Sequence, residues 1–277
     1  MNRLNILPTF HRLVSLSLYL FRNYGVTPWK PSRINFTITA LIAIGIVPNV
    51  FFPSLAWADD PPPRFPDRPP PGGTRDPVSR GDDCPETGLP MMPVIPTVNG
   101  GGWSTESNPT VWVYVPFSLT PDYEVKFTVR NPQGQTVHQT WLDSLSTEPG
   151  VLRFSIPSSV TLPETSVDMA EPEVWDWSVS VFCDPAGGRP EVARGGIQRV
   201  DEAVAMPETT SPLAISEAYV ESGIWYDALT TLGNARRENP DDAELEVAWQ
   251  TLLSYSTVGL EAIATEPLAN CCTLPEP

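Results

Sequence analysis

Near residue 200 the hydrophobic period of this chain changes from two to 3.6, and that switch restricts the kind of element that can form on each side of it. Upstream, Tyr123, Val125, Phe127 and Val129 alternate with Glu124, Lys126, Thr128 and Arg130, which gives a strand one apolar and one charged face. Asn131-Pro132-Gln133-Gly134 has the composition of a turn, and Gln135 to Leu142 returns as the hairpin partner. Further strands are expected at Thr110 to Val115, Val151 to Ile156 and Glu173 to Cys183, with shorter ones at Met91 to Ile95, Glu191 to Arg194 and Gly196 to Val200. In Glu173 to Cys183, the residues Trp175, Trp177, Val179, Val181 and Cys183 share one face and Asp176, Ser178 and Ser180 the other. Gly100-Gly101-Gly102 reads as a flexible turn. Short strands with no helical period between them predict an all-β domain over residues 84–200, an antiparallel, immunoglobulin-like sandwich.

After a polar connector at residues 201–210, the helical period governs residues 211–266. Ser211-Pro212 opens a first helix that stops at Gly223. A second carries Trp225, Ala228, Leu229, Leu232 and Ala235 on one stripe and ends before Asn239-Pro240. The third opens on Asp241-Asp242-Ala243-Glu244, an acidic start with capping-box spacing, and presents Leu245, Ala248, Trp249, Leu252 and Leu253 at i, i+3, i+4, i+7 and i+8. Residues 267–277 form a C-terminal tail.

The other end of the chain reads as an address. Five Lys/Arg and no acidic residue precede the uncharged run Phe36 to Val47, which leads to Ala56-Trp57-Ala58 and then Asp59-Asp60. That is the pattern of a signal peptide over residues 1–58, with small residues before the cut, and it places the protein in the periplasm or outside the cell. The alternative is an uncleaved anchor, because Phe36 to Ala58 carries no charge over a length that spans a bilayer; Pro48 and Pro53 oppose a continuous helix there. Loss of residues 1–58 takes the formal charge from −16 to −21, with 12 Lys/Arg left against 33 Asp/Glu. So acidic a chain does not track nucleic-acid phosphates, and membrane contact is expected only through an uncleaved signal segment. Residues 59–83, rich in proline with Val78 as the one aliphatic side chain, read as a disordered linker.

Reactive chemistry is sparse. His138 is the one histidine after the signal, and alternation sets it on the polar face of its hairpin, opposite Val137. No catalytic residue, metal ligand set or cofactor site is expected: there is no CxxC, no G-x-S-x-G and no phosphate-cradling loop. Asp143, Glu148 and Asp176 are the carboxylates that a glycosidase cleft would need to gather. Four cysteines in an exported chain imply disulfides, either Cys84 with Cys183 plus a vicinal Cys271–Cys272 bridge, or one of the two crossed pairings. Most tryptophans should be core, with Trp103 and Trp112 the candidates for an aromatic platform under a glycan.

Two resemblances add to this. Ile215, Ser216, Tyr219, Gly223, Ala228, Leu232, Ala235 and Pro240 fall where a tetratricopeptide repeat places its large, small and turn residues, although Pro212 stands where that motif often has Trp. The likeness implies a helical hairpin plus a capping helix, packed on the sandwich or on another protein because one repeat cannot stack on itself. It also implies a partner surface on the hairpin, for which Tyr226, Asp227, Arg236 and Arg237 are the candidates.

Asn108-Pro109-Thr110-Val111-Trp112-Val113-Tyr114-Val115-Pro116, Trp177 to Cys183, Gly195-Gly196-Ile197-Gln198-Arg199-Val200 and Gly223-Ile224-Trp225-Tyr226-Asp227-Ala228-Leu229 resemble the cyanobacterial family of domain of unknown function 928. That resemblance implies an exported protein and brings no activity. The expected function is a non-enzymatic protein-interaction module of the cell envelope, with an unidentified envelope protein or polysaccharide as partner; the alternative is a polysaccharide-binding protein or glycoside hydrolase. Export should leave a chain that begins at Asp59, and the intact mass of the exported protein checks this; a mass that retains residues 1–58 would establish the anchor.

Overall fold

Two strand alternations and three helical stripes are realised as two sheets under a helical layer. A computed structural model of the chain describes residues 78–79, 84–97, 100–142, 144–166, 173–201 and 203–269. The expected signal segment, most of the Pro-rich stretch, Asp143, Cys271 and Cys272 lie outside the described residues.

The larger sheet contains β1 (Val78–Ser79), β3 (Gly101–Ser104), β5 (Glu124–Arg130), β6 (Thr136–Leu142), β8 (Trp175–Phe182) and β9 (Glu191–Arg199), in the order β1-β9-β8-β5-β6 with β3 also on β9. The smaller sheet is β2 (Met92–Pro93), β4 (Thr110–Val115) and β7 (Gly150–Ser155), in the order β2-β4-β7. Apolar residues from both sheets meet between them: Phe127 of β5 stacks on Phe154 of β7 with ring centroids 5.8 Å apart. The β5–β6 turn forms as its composition requires, with Gly134 at φ 77° and Asn131 Oδ1 accepting from the amides of Gln133 and Gln135. Cys84 and Cys183 are joined by a disulfide across 99 residues, tying the entrance of the domain to the end of β8.

Three expectations need correcting. Gly100-Gly101-Gly102 does not form a flexible turn; Gly101 and Gly102 belong to β3, which runs parallel to β9, the one parallel pairing among the named strands. A Cβ on Gly102 would stand 2.9 Å from that of Trp225, so the glycine serves close approach. The two short strands expected on either side of Gly195 are one strand, β9. Within the nominal linker, Val78 and Ser79 pair with β9.

His138 is a fourth correction. It lies on the inward side of β6, 6.3 Å from the Phe127 ring, and burial lowers its pKa. Val137 and Trp141 point outward and are 41% and 42% exposed. The pairing runs Val129 with His138 and then Arg130 with Thr136, so Val137 is an extra residue at a bulge, and simple alternation through it assigns the wrong face.

The helices fall where the 3.6 period sets them: α1 (Pro212–Glu221), α2 (Trp225–Glu238) and α3 (Ala243–Ser254). Asp242 caps α3 by accepting from the amides of Glu244 and Leu245, whereas Ser211 makes no side-chain cap and Pro212 alone marks the start of α1. Every residue of the α2 and α3 stripes is buried. They are buried against the sheets as well as each other: Trp225 Nε1 donates to Val94 O at 3.0 Å, and Trp112 of β4 meets Trp249 of α3 edge to face at 5.9 Å. Helices and sheets share one apolar core. Among the described residues no helix is long and apolar enough to cross a membrane.

Because that core is continuous, truncating Trp225 to Ala should cost about 3 to 5 kcal/mol and should lower the melting temperature of helix and sheet together. Far-UV circular dichroism and near-UV tryptophan signals should give coincident transitions; a separate early helical transition would show that the layers melt independently.

Candidate functional site

The polar half of the alternation in β5 and β8 must go somewhere, and it forms the outer face of the larger sheet. Register sets three rows across it. Trp141, Lys126 and Ser180 stand opposite one another in the first row; Gln139, Thr128, Ser178 and Arg194 make the second; Arg130 and Asp176 pair in the third. All of these except Trp141 line a basin of about 280 Å³, and Trp141 stands beside it next to Lys126. The basin's floor is hydroxylic, since Thr128, Ser178 and Ser180 are 2%, 8% and 6% exposed. Its rim is cationic.

Lys126 Nζ lies 5.1 Å from the ring centroids of both Trp141 and Phe182, whose rings are tilted at 43° with centroids 5.5 Å apart. Arg194 Nε is buried with no hydrogen-bond partner. Asp176 is the one carboxylate among the lining residues. Burial lifts its pKa above the usual carboxylate range, against the pull of Arg130 and Arg194. Such an arrangement can donate charged hydrogen bonds, exchange neutral ones with hydroxyls and offer an indole at one end.

The residues expected to form a site are placed elsewhere. Tyr226 and Asp227 are not a partner surface: Tyr226 is fully buried, accepts from Trp177 Nε1 and donates to Gly196 O, each at 2.8 Å. Burial raises the pKa of its phenol. Asp227, 6% exposed, accepts from Ser104 Oγ at 2.5 Å and from the amide and hydroxyl of Thr105. Both are consumed in seating α2, which begins one residue before them. Arg236 lies over the Trp249 ring, with its centre 5.4 Å from the centroid, and Arg237 donates to Ala269 O; burial lowers the pKa of both.

Trp112 is fully buried and donates to Thr230 Oγ1, so it cannot pair with Trp103 in a platform. Trp103, half-buried on β3, donates to Gln198 Oε1. The structure therefore does not bring these two together over a ligand. Of the carboxylates considered for a cleft, Asp176 lines the basin, while exposed Glu148 stands beside β7 in the other sheet. Among the described residues no group of three or more His, Cys, Asp or Glu side chains could hold a metal ion. Sequence reasoning missed the basin because Lys126, Arg130 and Asp176 were legible as outward-facing, but the strand order that sets Arg194 beside them was not.

Asp227 allows a pH test of the seat. Burial raises its pKa although three donors favour the carboxylate. Its folded pKa thus exceeds the unfolded value of about 3.9, and its contribution to stability is complete below that value and lost as pH rises through the folded one. Asp227→Asn should be less stable than the wild type near pH 4, and the gap should narrow as pH rises. Denaturant midpoints at several pH values check this; a constant gap would exclude coupled ionisation.

No curated protein matches the sequence. Solved structures that resemble it do so slightly. Parabacteroides merdae β-glucuronidase with glycerol in its active site shares 15% identity over 32% of this chain and 10% of that one, with a TM-score of 0.20. For Bacteroides uniformis β-glucuronidase 2, covalently bound to cyclophellitol-6-carboxylate aziridine, the values are 13%, 34%, 11% and 0.20. For the periplasmic chaperone SfaE they are 14%, 41%, 60% and 0.24. The chain spans about a tenth of the length of the glucuronidases, and overlap this slight supports no assignment of fold or activity. The family model described as Domain of Unknown Function (DUF928) matches residues 71–268, which is most of the chain, and the protein belongs to that family.

Proposed function

We propose that this protein is an exported, non-enzymatic binding module of the cyanobacterial cell envelope, and that the outer face of its larger sheet is the binding surface. The observation that carries this is the basin itself, where three cations gather over a floor of hydroxyls in a chain of formal charge −16. None of the three is closed into an ion pair among the described residues. The signal-like N-terminal segment and the Cys84–Cys183 disulfide support export, since disulfides persist in oxidising compartments. The two facing sheets are in this reading an immunoglobulin-like sandwich, and α1 to α3 a tetratricopeptide-like hairpin with its cap, turned to structural use. An enzymatic reading has less support, because the basin offers one carboxylate and hydrolysis of a glycosidic bond ordinarily uses two.

Arg194→Glu should reduce capture of envelope material by the protein at least about tenfold, the scale set by losing one charged hydrogen bond. Val247→Glu, which alters an exposed apolar residue on α3, should leave capture unchanged. Quantitative pull-down from envelope extract checks this, and the opposite result, loss with Val247→Glu and retention with Arg194→Glu, would return the binding surface to the hairpin.

A further inference from the structure

Resting on that reading, we infer that the ligand of the outer sheet face is an acidic glycan, a polysaccharide segment that carries carboxylate or sulfate groups among free hydroxyls. The first reason is charge. Lys126, Arg130 and Arg194 stand on a surface whose parent chain is strongly acidic, so the basin attracts what the rest of the molecule repels. The second is an unmet demand. Arg194 lines the basin with no ion-pair partner among the described residues, and a ligand carboxylate or sulfate suits the accessible part of its planar guanidinium fork.

The third reason separates a glycan from other polyanions. Asp176 sits among the cations, opposite Arg130, with Thr128 and Ser178 in the adjoining row. A carboxylate and hydroxyls in that position can accept hydrogen bonds from a ligand, which sugar hydroxyls donate and phosphodiester chains provide poorly. At the end of the basin Trp141 is 42% exposed on the edge strand β6, with Lys126 over its ring, and it leaves apolar surface for the C–H face of a sugar. A protein partner is disfavoured by the lining, which is mostly polar and has no apolar pocket to receive the aromatic anchors that dominate protein interfaces.

Isothermal titration calorimetry of the full chain, expressed with its own export segment and purified, tests this with four probes: alginate oligosaccharide, dextran sulfate, neutral dextran and polyglutamate. Alginate or dextran sulfate should bind, the pair distinguishing carboxylate from sulfate recognition, and neutral dextran should bind at least about tenfold more weakly. Binding should weaken as salt is raised. Arg130→Ala/Arg194→Ala should lose binding at least about tenfold and Trp141→Ala severalfold, whereas Arg189→Ala, which removes one arginine charge from an exposed loop, should not. Unchanged melting of each variant establishes that the fold is retained, and a variant that fails it is replaced by Arg130→Gln/Arg194→Gln. Retention of glycan binding in the double variant, or polyglutamate bound as tightly as either acidic glycan, overturns the inference. Basin-dependent capture of envelope material without binding of either acidic glycan overturns the inference alone; capture independent of the basin overturns the binding reading as well.

Discussion

The first turn of α2 is the part on which the rest of the structure depends. Trp225, Tyr226 and Asp227 are consecutive, and each puts a polar atom onto a different part of the β layer: Trp225 on Val94 O, Tyr226 on Trp177 and Gly196 O, and Asp227 on Ser104 and Thr105. A helix start normally leaves amides unsatisfied and is often solvated. Here it is driven into protein, and its side chains satisfy β3, β9 and the segment after β2 instead. The apolar parts of the same residues join the common core, so hydrogen bonding and burial act at one place.

Close approach makes that possible, and two glycines allow it. Gly102 lets β3 run beneath Trp225, and Gly233 lets α2 pass over Trp112, where an added Cβ would lie 2.7 Å from the indole. In sequence the first looked like flexibility, because it sits in a glycine run, and the second lies inside a helix. Their role is spatial and depends on an aromatic ring more than a hundred residues away. No local pattern contains that information.

The same distinction explains what could be read from the residues and what could not. Helix boundaries, the stripes of α2 and α3 and the β5–β6 hairpin were accessible because each rests on nearby spacing, and Cys84–Cys183 was one of the pairings the residues allowed. The face of β6 was not, since one bulged residue at Val137 inverts the alternation, and with it the fates of His138 and Trp141. Tyr226 and Asp227 illustrate the opposite error. An acidic residue and a tyrosine near a helix start look available, and only the tertiary contact with Ser104, Thr105 and Trp177 reveals them as structural. Half of the basin was legible as the polar face of β5 and β8, but Arg194 joins it through a strand order that no periodicity encodes.

Because α2 meets the β layer chiefly at β3 and β4, the outward side chains of β5, β6 and β8 are left to line the basin. A sheet with one packed and one solvated face normally carries interspersed charges of both signs there. This one departs from that rule in a specific direction. Across Lys126, Arg130 and Arg194 it collects cations without ion-pair partners among the described residues, with Asp176 alone opposing them. In a chain with 33 acidic residues, carboxylates to neutralise those three cations were abundant, and solubility alone would not require leaving them unpaired. The arrangement preserves an electrostatic demand at the surface while the polar groups at the start of α2 are satisfied within the core, and that division between a satisfied interior and an unsatisfied face is the reason for proposing the sheet, and not the hairpin, as the place for a ligand.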